Sequence, residues 1–350
     1  MATSASVTDM SVLTGAEEPL LHGGDLDAAR RLFPSAPEPF VDLSTGINPN
    51  PYPLPRFPAA LFTRLPAADA VHALAAIAAR AYGAPSAACV VPAPGTQILL
   101  PLIAALVRAG RAAVLAPTYS EFSRAARLAG HDVRAVRELD DVGDPRLVMI
   151  ANPNNPDGRL RASGALLALA DKLRRRGGVL VVDEAFMDVE PPGASLAAEV
   201  GCGNVVVLRS FGKFFGLAGV RLGFALAAPA LAARLSATLG PWAVSGPALA
   251  VGARALADSA WIERTRSRLA KAAKRLDVML MGAGLDIVGG TSLFRLTRAP
   301  AANKLFRHLG QAGILARAFA DHDNWLRFGL PGAAAEWRRL QAALRRYHRR

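Results

Sequence analysis

A single lysine in a glycine-rich apolar stretch is the residue of this sequence best placed for covalent chemistry. Lys213 lies between glycines and phenylalanines, with Ser210 three residues before it and Arg221 eight residues after it. An unpaired ammonium is costly to bury, whereas a lysine that forms a Schiff base with a carbonyl cofactor has a chemical reason to be there. Ser210 and Arg221 could then bind an anionic group of that cofactor, which the glycines would let the backbone approach. The alternative is a flexible surface loop with an ordinary lysine.

A carboxylate stands at the end of another apolar run. Asp183 directly follows the residues Val179–Val182. A carboxylate in this position can pair with a protonated ring nitrogen, and a shielded pair of this kind keeps the ring cationic and electron-withdrawing. The alternative is an aspartate that caps a helix or lies at the surface after a strand.

Three further segments carry polar or aromatic groups at the ends of apolar runs. Gly95-Thr96-Gln97 opens a predicted helix, where free backbone N–H groups and the threonine hydroxyl can bind phosphate. Tyr119 could lie flat on a cofactor ring, although a lone aromatic also suits a core. Asn155 could donate its amide to a phenolate oxygen of the cofactor, although its Asn-Asn-Pro context is also a common turn.

Together these residues resemble the pyridoxal-phosphate (PLP) enzymes of fold type I, in the class I and II aminotransferase family. The resemblance covers nearly the whole chain, and the residues that carry it are Gly95, Thr96, Tyr119, Asn155, Asp183, Ser210, Lys213 and Arg221. It implies PLP as the cofactor, Lys213 and Asp183 as catalytic residues, and the others, with Gln97, as cofactor contacts. Many members have a tyrosine three residues after the aspartate. Here that position is Phe186, so one hydrogen-bond donor to the cofactor phenolate is lost.

Further segments resemble one branch of the family, the threonine-phosphate decarboxylases of cobalamin biosynthesis. They are His22-Gly23-Gly24, the run from Asp42 to Pro49, the run from Asp183 to Phe186, Pro241-Trp242, the run from Gly313 to Arg317, and the run from Leu326 to Phe328. The resemblance implies decarboxylation of L-threonine O-3-phosphate to (R)-1-amino-2-propanol O-2-phosphate. An aminotransferase of the histidinol-phosphate type is the alternative enzyme. A catalytically inactive binding module of this fold is a third hypothesis, against which the intact Lys213 and Asp183 argue.

A substrate with a carboxylate and a phosphate needs cationic partners. Arg317 and Arg327 offer forked guanidinium groups, and His22 offers a third contact. The alternative is that these three residues occupy ordinary surface positions. We predict three further substrate contacts: Gly46, Asn48 and Asn155.

Short apolar runs alternate with helical segments through the first two thirds of the chain. Such runs lie at 88–91, 112–116, 147–151, 179–182 and 205–208, and a helix is predicted over 71–82. Strands buried on both faces predict an α/β fold with a mainly parallel sheet, and the motifs fall at the carboxyl ends of the strands, where ligands bind. We predict a large PLP-binding domain over 50–240. Residues 1–49 and 241–350 are predicted to form an N-terminal arm and a small α+β domain, with helices over 247–281 and strands at 285–288, 292–296, 314–316 and 326–329.

Composition narrows the class of protein. No stretch has the length and apolarity of a membrane span, and the first 21 residues lack the basic and apolar parts of a secretory signal,. Two cysteines form no disulfide framework, so we expect a cytoplasmic protein. The net charge of the chain is +13. Basic residues cluster at 172–176 and 345–350, both at predicted helix ends, where cations complement the helix dipole,. We therefore expect an anionic small substrate, no nucleic acid, no membrane and no metal, and, from the resemblance, a homodimer.

Overall fold

The computed structural model describes residues 23–191 and 193–348, and the predicted contact of His22 lies outside them. The first elements are α1 (Leu26–Leu32), β1 (Val41–Asp42), α2 (Ala60–Thr63) and α3 (Ala68–Tyr82). Helix α1 begins at Asp25, whose carboxylate accepts a hydrogen bond from the Ala28 N–H,. Helix α3 ends at Gly83, whose left-handed φ of 77° is easily adopted by glycine,. The helix predicted over 71–82 is confirmed and begins three residues earlier.

A seven-stranded sheet, here called the large sheet, forms the centre of the fold. Its strands are β2 (Val90–Ala93), β3 (Arg111–Leu115), β4 (Asp132–Val136), β5 (Leu147–Ala151), β6 (Val179–Asp183), β7 (Val205–Ser210) and β8 (Gly223–Leu226). They lie in the order β2-β8-β7-β6-β5-β3-β4, and β8 runs in the opposite direction to the other six strands. The predicted mainly parallel sheet is confirmed. Strands β4 and β8 were not predicted, since β4 is mostly exposed and β8 begins within the glycine-rich lysine segment.

Helices cover both faces of the large sheet, as its two-sided apolar strands require. They are α4 (Leu99–Leu106), α5 (Glu121–Leu128), α6 (Ser163–Arg174), α7 (Phe211–Phe214) and α8 (Pro229–Leu239). Successive residues of β6 show the division: Val181 packs in the core with α4, α5 and α8, whereas Val182 packs in the core with α3 and α6. Both faces of the large sheet are therefore buried, and its polar groups lie at the strand ends.

The rest of the chain builds a second, antiparallel sheet, here called the small sheet. Its elements are α9 (Gly246–Ala257), α10 (Ser259–Met281), β9 (Asp286–Thr291), β10 (Phe294–Arg298), α11 (Ala302–Gln311), β11 (Ile314–Leu315), β12 (Arg317–Ala318), β13 (Trp325–Gly329) and α12 (Ala334–His348). The order in the small sheet is β12-β13-β10-β9, while β11 pairs in parallel with β1. The N-terminal segment is thus joined to the second half of the chain. The domain boundaries at 50 and 240 stay a prediction.

Candidate active site

Lys213 lies at the carboxyl edge of the large sheet, in the short helix α7 that follows β7. Three phenylalanines of the segment (Phe211, Phe214 and Phe215) point into the core, where Phe215 stacks on Trp261. The lysine points the other way, and its Nζ donates to the Thr45 carbonyl oxygen at 3.5 Å. Burial, and then the charge of Arg327, lowers the pKa of the amine to about 8, although Asp183 acts in the opposite direction,. A lysine with this pKa has a large neutral, nucleophilic fraction near pH 8.

Asp183 lies at the end of β6, the strand beside β7. It is buried, and one of its carboxylate oxygens accepts a hydrogen bond from the Ala185 N–H at 3.0 Å. Burial raises its pKa to about 6, while the Ala185 hydrogen bond and the charge of Lys213 act in the opposite direction. A buried carboxylate whose pKa is raised in this way is stabilised in its charged form by a further cation. This property fits a residue that pairs with a protonated ring nitrogen.

Four residues predicted to bind a phosphate group lie together: Gly95, Thr96, Ser210 and Arg221. A Cβ atom on Gly95 would lie 2.7 Å from the Arg221 Nη2, and one on Gly223 would lie 2.7 Å from the Thr96 nitrogen. Gly223 is the cross-strand partner of Ser210. Arg221 has a left-handed φ of 52°, which is uncommon for a residue with a side chain. The glycines therefore form a close-packed cradle that holds a guanidinium, two hydroxyls and backbone N–H groups.

Tyr119 and Gln97 form part of one hydrogen-bonded chain. The Tyr119 hydroxyl donates to the Gln97 Oε1 at 3.0 Å, and the Gln97 Nε2 donates to the Glu121 Oε2 at 2.7 Å. Burial, and then the charge of Glu121, raises the pKa of Tyr119 to about 12. Both ends of the Gln97 amide are thus used within the protein, which leaves its backbone N–H for the predicted cofactor contact. Sequence reasoning missed Glu121, whose only signal was its place at the start of α5.

Arg327 is a buried arginine that faces the lysine from β13. Its Nη2 donates to the Ser44 carbonyl oxygen at 2.6 Å, and its Nη1 donates to the Asn155 Oδ1. Its Nε has no hydrogen-bond partner among residues 23–191 and 193–348. Burial, and then the charge of Arg317, lowers the pKa of Arg327 to about 9, although Asp42 opposes this. Because Asn155 accepts from Arg327 through its oxygen, its amide NH₂ is directed elsewhere and can donate.

The other predicted substrate contacts fall into two groups. Gly46 has a φ of 65°, and a Cβ there would lie 3.1 Å from the Phe294 ring, so only glycine fits. Asn48 is buried: its Nδ2 donates to the Phe214 carbonyl oxygen at 2.8 Å and its Oδ1 accepts from the Asn50 N–H at 2.9 Å. Its backbone N–H donates to the Lys213 carbonyl oxygen at 2.9 Å. Asn48 thus holds the lysine segment, while its amide keeps one further donor hydrogen and one further lone pair. Its predicted substrate contact stays a prediction.

Phe186 stands beside the lysine and carries no hydroxyl. Its ring meets Phe294 edge-on at 4.9 Å between centroids, and the Lys213 Nζ lies 5.7 Å from the Phe186 centroid. The two rings separate the amine from part of the surrounding solvent. The site thus has an apolar wall at the position where Phe186 replaces the tyrosine.

A buried ion cluster, which sequence reasoning missed, fixes the two strands that carry the catalytic candidates. The Arg209 Nη1 donates to the Glu184 Oε2 at 3.0 Å and its Nη2 donates to the Asp188 Oδ1 at 2.5 Å. Arg209 precedes Ser210 in the chain, and Glu184 follows Asp183. Breaking a buried pair on one side leaves an uncompensated charge, so the cluster holds the ends of β6 and β7 in one arrangement.

Membrane-spanning helices and metal-binding clusters are both absent from residues 23–191 and 193–348. None of the helices formed by these residues is long and apolar enough to cross a bilayer. Over the same residues, no three His, Cys, Asp or Glu side chains are grouped so that they could hold a metal ion.

The chain is similar in sequence to proteins of one family. The model of the aminotransferase class I and II family matches residues 60–344. A threonine-phosphate decarboxylase of a Sinorhizobium species is 42% identical over 333 residues, which cover 94% of this chain and 98% of that protein. The threonine-phosphate decarboxylase of Pseudomonas aeruginosa is 43% identical over 330 residues, 93% of this chain and 97% of that protein.

A solved structure shows the same fold. The histidinol-phosphate aminotransferase of Sinorhizobium meliloti, in complex with pyridoxal-5'-phosphate, superposes with a TM-score of 0.78 at 23% identity. The superposition covers 92% of this chain and 94% of the other. The fold-type I architecture that the sequence resemblance implied is thereby confirmed. The chain belongs to the class I and II aminotransferase family.

Proposed function

We propose that this protein is a PLP-dependent lyase that decarboxylates L-threonine O-3-phosphate to (R)-1-amino-2-propanol O-2-phosphate, for cobalamin biosynthesis. One observation carries the substrate assignment: two partly or fully buried guanidinium groups, those of Arg317 and Arg327, lie opposite each other on adjacent strands, and their charges act on Tyr119 and Lys213 respectively. Guanidinium groups bind carboxylate and phosphate through paired hydrogen bonds, so two of them suit a substrate that carries one of each. The name shared by the two most similar relatives above supports the same activity.

The side chains present fit PLP. Lys213 would hold it covalently, Asp183 would pair with its ring nitrogen, and Tyr119 would lie against its ring. Its phosphate would lie in the cradle formed by the residues Gly95, Thr96, Ser210 and Arg221, where a Cβ on Gly95 or Gly223 would collide with the neighbouring groups. Asn155 would donate to its phenolate oxygen. When bound, PLP supplies an electron sink for the pair of electrons that remains at Cα after carbon dioxide leaves.

The protein's own groups decide which bond of the substrate breaks. Arg327 cannot turn freely, because Ser44 and Asn155 hold both its terminal nitrogens. An anion bound to Arg327 is therefore fixed in direction, and a second anion on Arg317 fixes the rest of the molecule. Two fixed anions orient the Cα–carboxylate bond relative to the cofactor ring, and this orientation separates a decarboxylase from an aminotransferase.

Lys213 is also suited to return a proton to Cα. Its pKa of about 8 lets the Nζ hold and release a proton near neutral pH,. The apolar rings of Phe186 and Phe294 lie beside it and limit the approach of water from that side. A proton delivered by one fixed group completes the CH₂ group that Cα becomes, while the (R) centre of the product is the former Cβ, whose four bonds do not change.

The decisive experiment uses purified protein with PLP and L-threonine O-3-phosphate, and follows carbon dioxide and the amine product. We expect release of carbon dioxide without 2-oxoglutarate, and none from the Lys213→Ala variant. Formation of a keto acid that requires 2-oxoglutarate would instead identify an aminotransferase of the histidinol-phosphate type. Visible absorbance of bound PLP, with neither carbon dioxide release nor keto acid formation, would favour a binding module.

We also propose that the protein is a cytoplasmic homodimer with its active sites at the subunit interface. Three large apolar side chains (Phe62, Leu65 and Trp242) are 67%, 68% and 58% exposed. The segments that carry them are in contact, because a Cβ on Gly246 would lie 2.5 Å from the Leu61 carbonyl oxygen. An apolar patch of this kind is suited to a second copy of the chain. The cytoplasmic location rests on the two free cysteines, Cys89 and Cys202,.

A further inference from the structure

Tyr119 is held at two points. Its hydroxyl donates to the Gln97 Oε1, while its ring meets the fully buried Phe122 ring edge-on, with 5.7 Å between centroids and an interplanar angle of 88°. A hydrogen bond at one end and an aromatic contact at the side fix the plane of the ring. The ring belongs to the candidate active site, since the charge of Asp183 contributes, after burial and Glu121, to the raised pKa of its hydroxyl.

The orientation of the Gln97 amide is set by Glu121. An ionised carboxylate only accepts hydrogen bonds, so the Glu121 Oε2 takes the NH₂ end of the amide at 2.7 Å,. The oxygen end of the amide is then left for Tyr119. An amide oxygen cannot donate, and the Tyr119 hydroxyl must therefore give its one proton to Gln97.

Glu121 is itself a fixed group. It is 9% exposed, and its Oε2 also accepts from the Arg124 Nη1 at 3.0 Å, on the outer side of α5. The Arg124 side chain is 66% exposed. The carboxylate thus stands between a solvent-exposed cation and an amide that reaches into the active site.

We propose that Glu121 is a positioning residue: through the Gln97 amide it fixes the Tyr119 hydroxyl as a hydrogen-bond donor and so holds the ring that lies against the cofactor. The inference rests on the proposed PLP cofactor, and it deepens that assignment without depending on the substrate. Glu121 need not touch the cofactor for this role.

The direction of the hydroxyl proton matters because the charges of two arginines act on Tyr119. The Arg221 and Arg317 charges both oppose the rise of its pKa. With its one proton given to Gln97, the hydroxyl offers only lone pairs to any other neighbour. Without Glu121 the amide is free to reverse, and the hydroxyl would then accept from the amide NH₂ and be free to turn its proton elsewhere.

The first test compares the PLP dissociation constant and the visible circular dichroism of bound PLP in Glu121→Ala and in wild-type protein. Loss of one net hydrogen bond should weaken PLP binding about two- to tenfold and reduce the dichroic band. Arg124→Ala is the control, because it removes only an exposed ion pair, and it should change the dissociation constant less than about twofold. Wild-type values for Glu121→Ala, or equal losses in both variants, would overturn the proposal.

The second test exchanges the two partners. Gln97→Glu alone places two carboxylates against each other and should weaken PLP binding at least as much as Glu121→Ala. The double variant Gln97→Glu/Glu121→Gln restores one amide and one carboxylate, with the Tyr119 hydroxyl still the donor, and should recover the dissociation constant to within about twofold. A double variant no better than the single one would overturn the proposal, even where Glu121→Ala does not fold.

Failure of the proposed function is distinguishable from failure of this inference. Wild-type protein that binds PLP but does not release carbon dioxide would remove the proposed substrate and leave both tests above intact. Wild-type protein that binds no PLP would overturn the two together.

Discussion

Arg317 and Arg327 lie directly opposite each other across the antiparallel strands β12 and β13. Like charges opposite each other in a sheet are unfavourable, and burial makes both guanidinium groups harder to keep charged, since it lowers the pKa of each. Two guanidinium groups on neighbouring strands are suited to a ligand that carries both a carboxylate and a phosphate. The pair thus supports the proposed substrate more directly than either arginine alone.

The pH at which the apoprotein takes up PLP should report the lowered pKa of Lys213. Only the neutral amine attacks a carbonyl carbon, so the incorporation rate should rise as pH increases through about 8 and level off above it. Stopped-flow absorbance with Nα-acetyl-lysine as the reference measures this, since the side chain of an ordinary lysine has a pKa of about 10.4 and continues to gain reactivity at higher pH. A rate that still climbs steeply between pH 9 and 10 would contradict the lowered pKa.

Asp183→Asn should separate stability from function. Burial raises the pKa of the folded-state carboxyl to about 6 from 3.8, so the folded apoprotein binds this proton more tightly than the unfolded chain does. Stability contributed by the protonated carboxyl is therefore lost as pH rises through that window. The apo variant should show a smaller loss of Tm than wild type between about pH 4 and about pH 6, the interval between the two pKa values,.

The same variant should bind PLP yet lose most turnover, because an amide cannot stabilise a protonated ring nitrogen as a carboxylate does. Electrostatic terms of this kind are worth about 3 kcal/mol or more in a shielded site, or a hundredfold or more in rate. Steady-state assays on the PLP-saturated variant measure it. Turnover equal to wild type would remove Asp183 from the catalytic residues.

The sequence predicts best the positions of residues that lie at or just after the end of a strand. Lys213 and Asp183 follow apolar strands, and parallel strands place such ends at one edge of a sheet whatever the rest of the chain does. Two features escaped prediction because they join distant parts of the chain: the Arg209–Glu184 ion pair and the contact between Gln97 and Glu121. The contacts of Asn48 with Phe214 and Asn50 are further features that the sequence did not reveal.

The edge of the large sheet illustrates a second limit. Strand β4 carries mostly exposed residues and pairs only with β3, so it lacks the apolar run by which the inner strands were recognised. Its position is set by pairing with a neighbour and not by burial of its own side chains. A buried-strand pattern therefore predicts the centre of a sheet better than its edge.

The proposed dimer predicts that a charged substitution in the apolar patch causes the dimer to dissociate. Phe62→Asp should shift the protein from dimer to monomer at micromolar concentration, because a charge in a buried apolar contact is costly. Val278→Asp is the control, since Val278 is 70% exposed on α10, an element that carries none of the patch residues Phe62, Leu65 and Trp242. Sedimentation velocity distinguishes the species. A fully active wild-type monomer would contradict both the dimer and the shared active site.

Substrate choice tests the arginine pair most sharply. Both L-threonine and its O-3-phosphate carry a carboxylate, but only the second carries a phosphate. Loss of a charge-assisted hydrogen bond costs about 1.5–3 kcal/mol, or about ten- to a hundredfold in affinity. If Arg327, fixed by Ser44 and Asn155, binds the carboxylate, Arg327→Ala should weaken both ligands by this factor. Arg317→Ala should then weaken mainly the phosphorylated one.

Binding to the PLP-loaded Lys213→Ala variant, which cannot turn over, gives both dissociation constants without interference from catalysis. The contact of His22 is predicted from the sequence alone. The His22→Ala variant is measured in the same way and should resemble Arg317→Ala. A reversed pattern, with Arg327→Ala selective for the phosphate, would exchange the two roles and keep the pair. Equal losses on both ligands in all three variants would mean that no phosphate is recognised here, because a phosphate contact must distinguish ligands that differ only in that group.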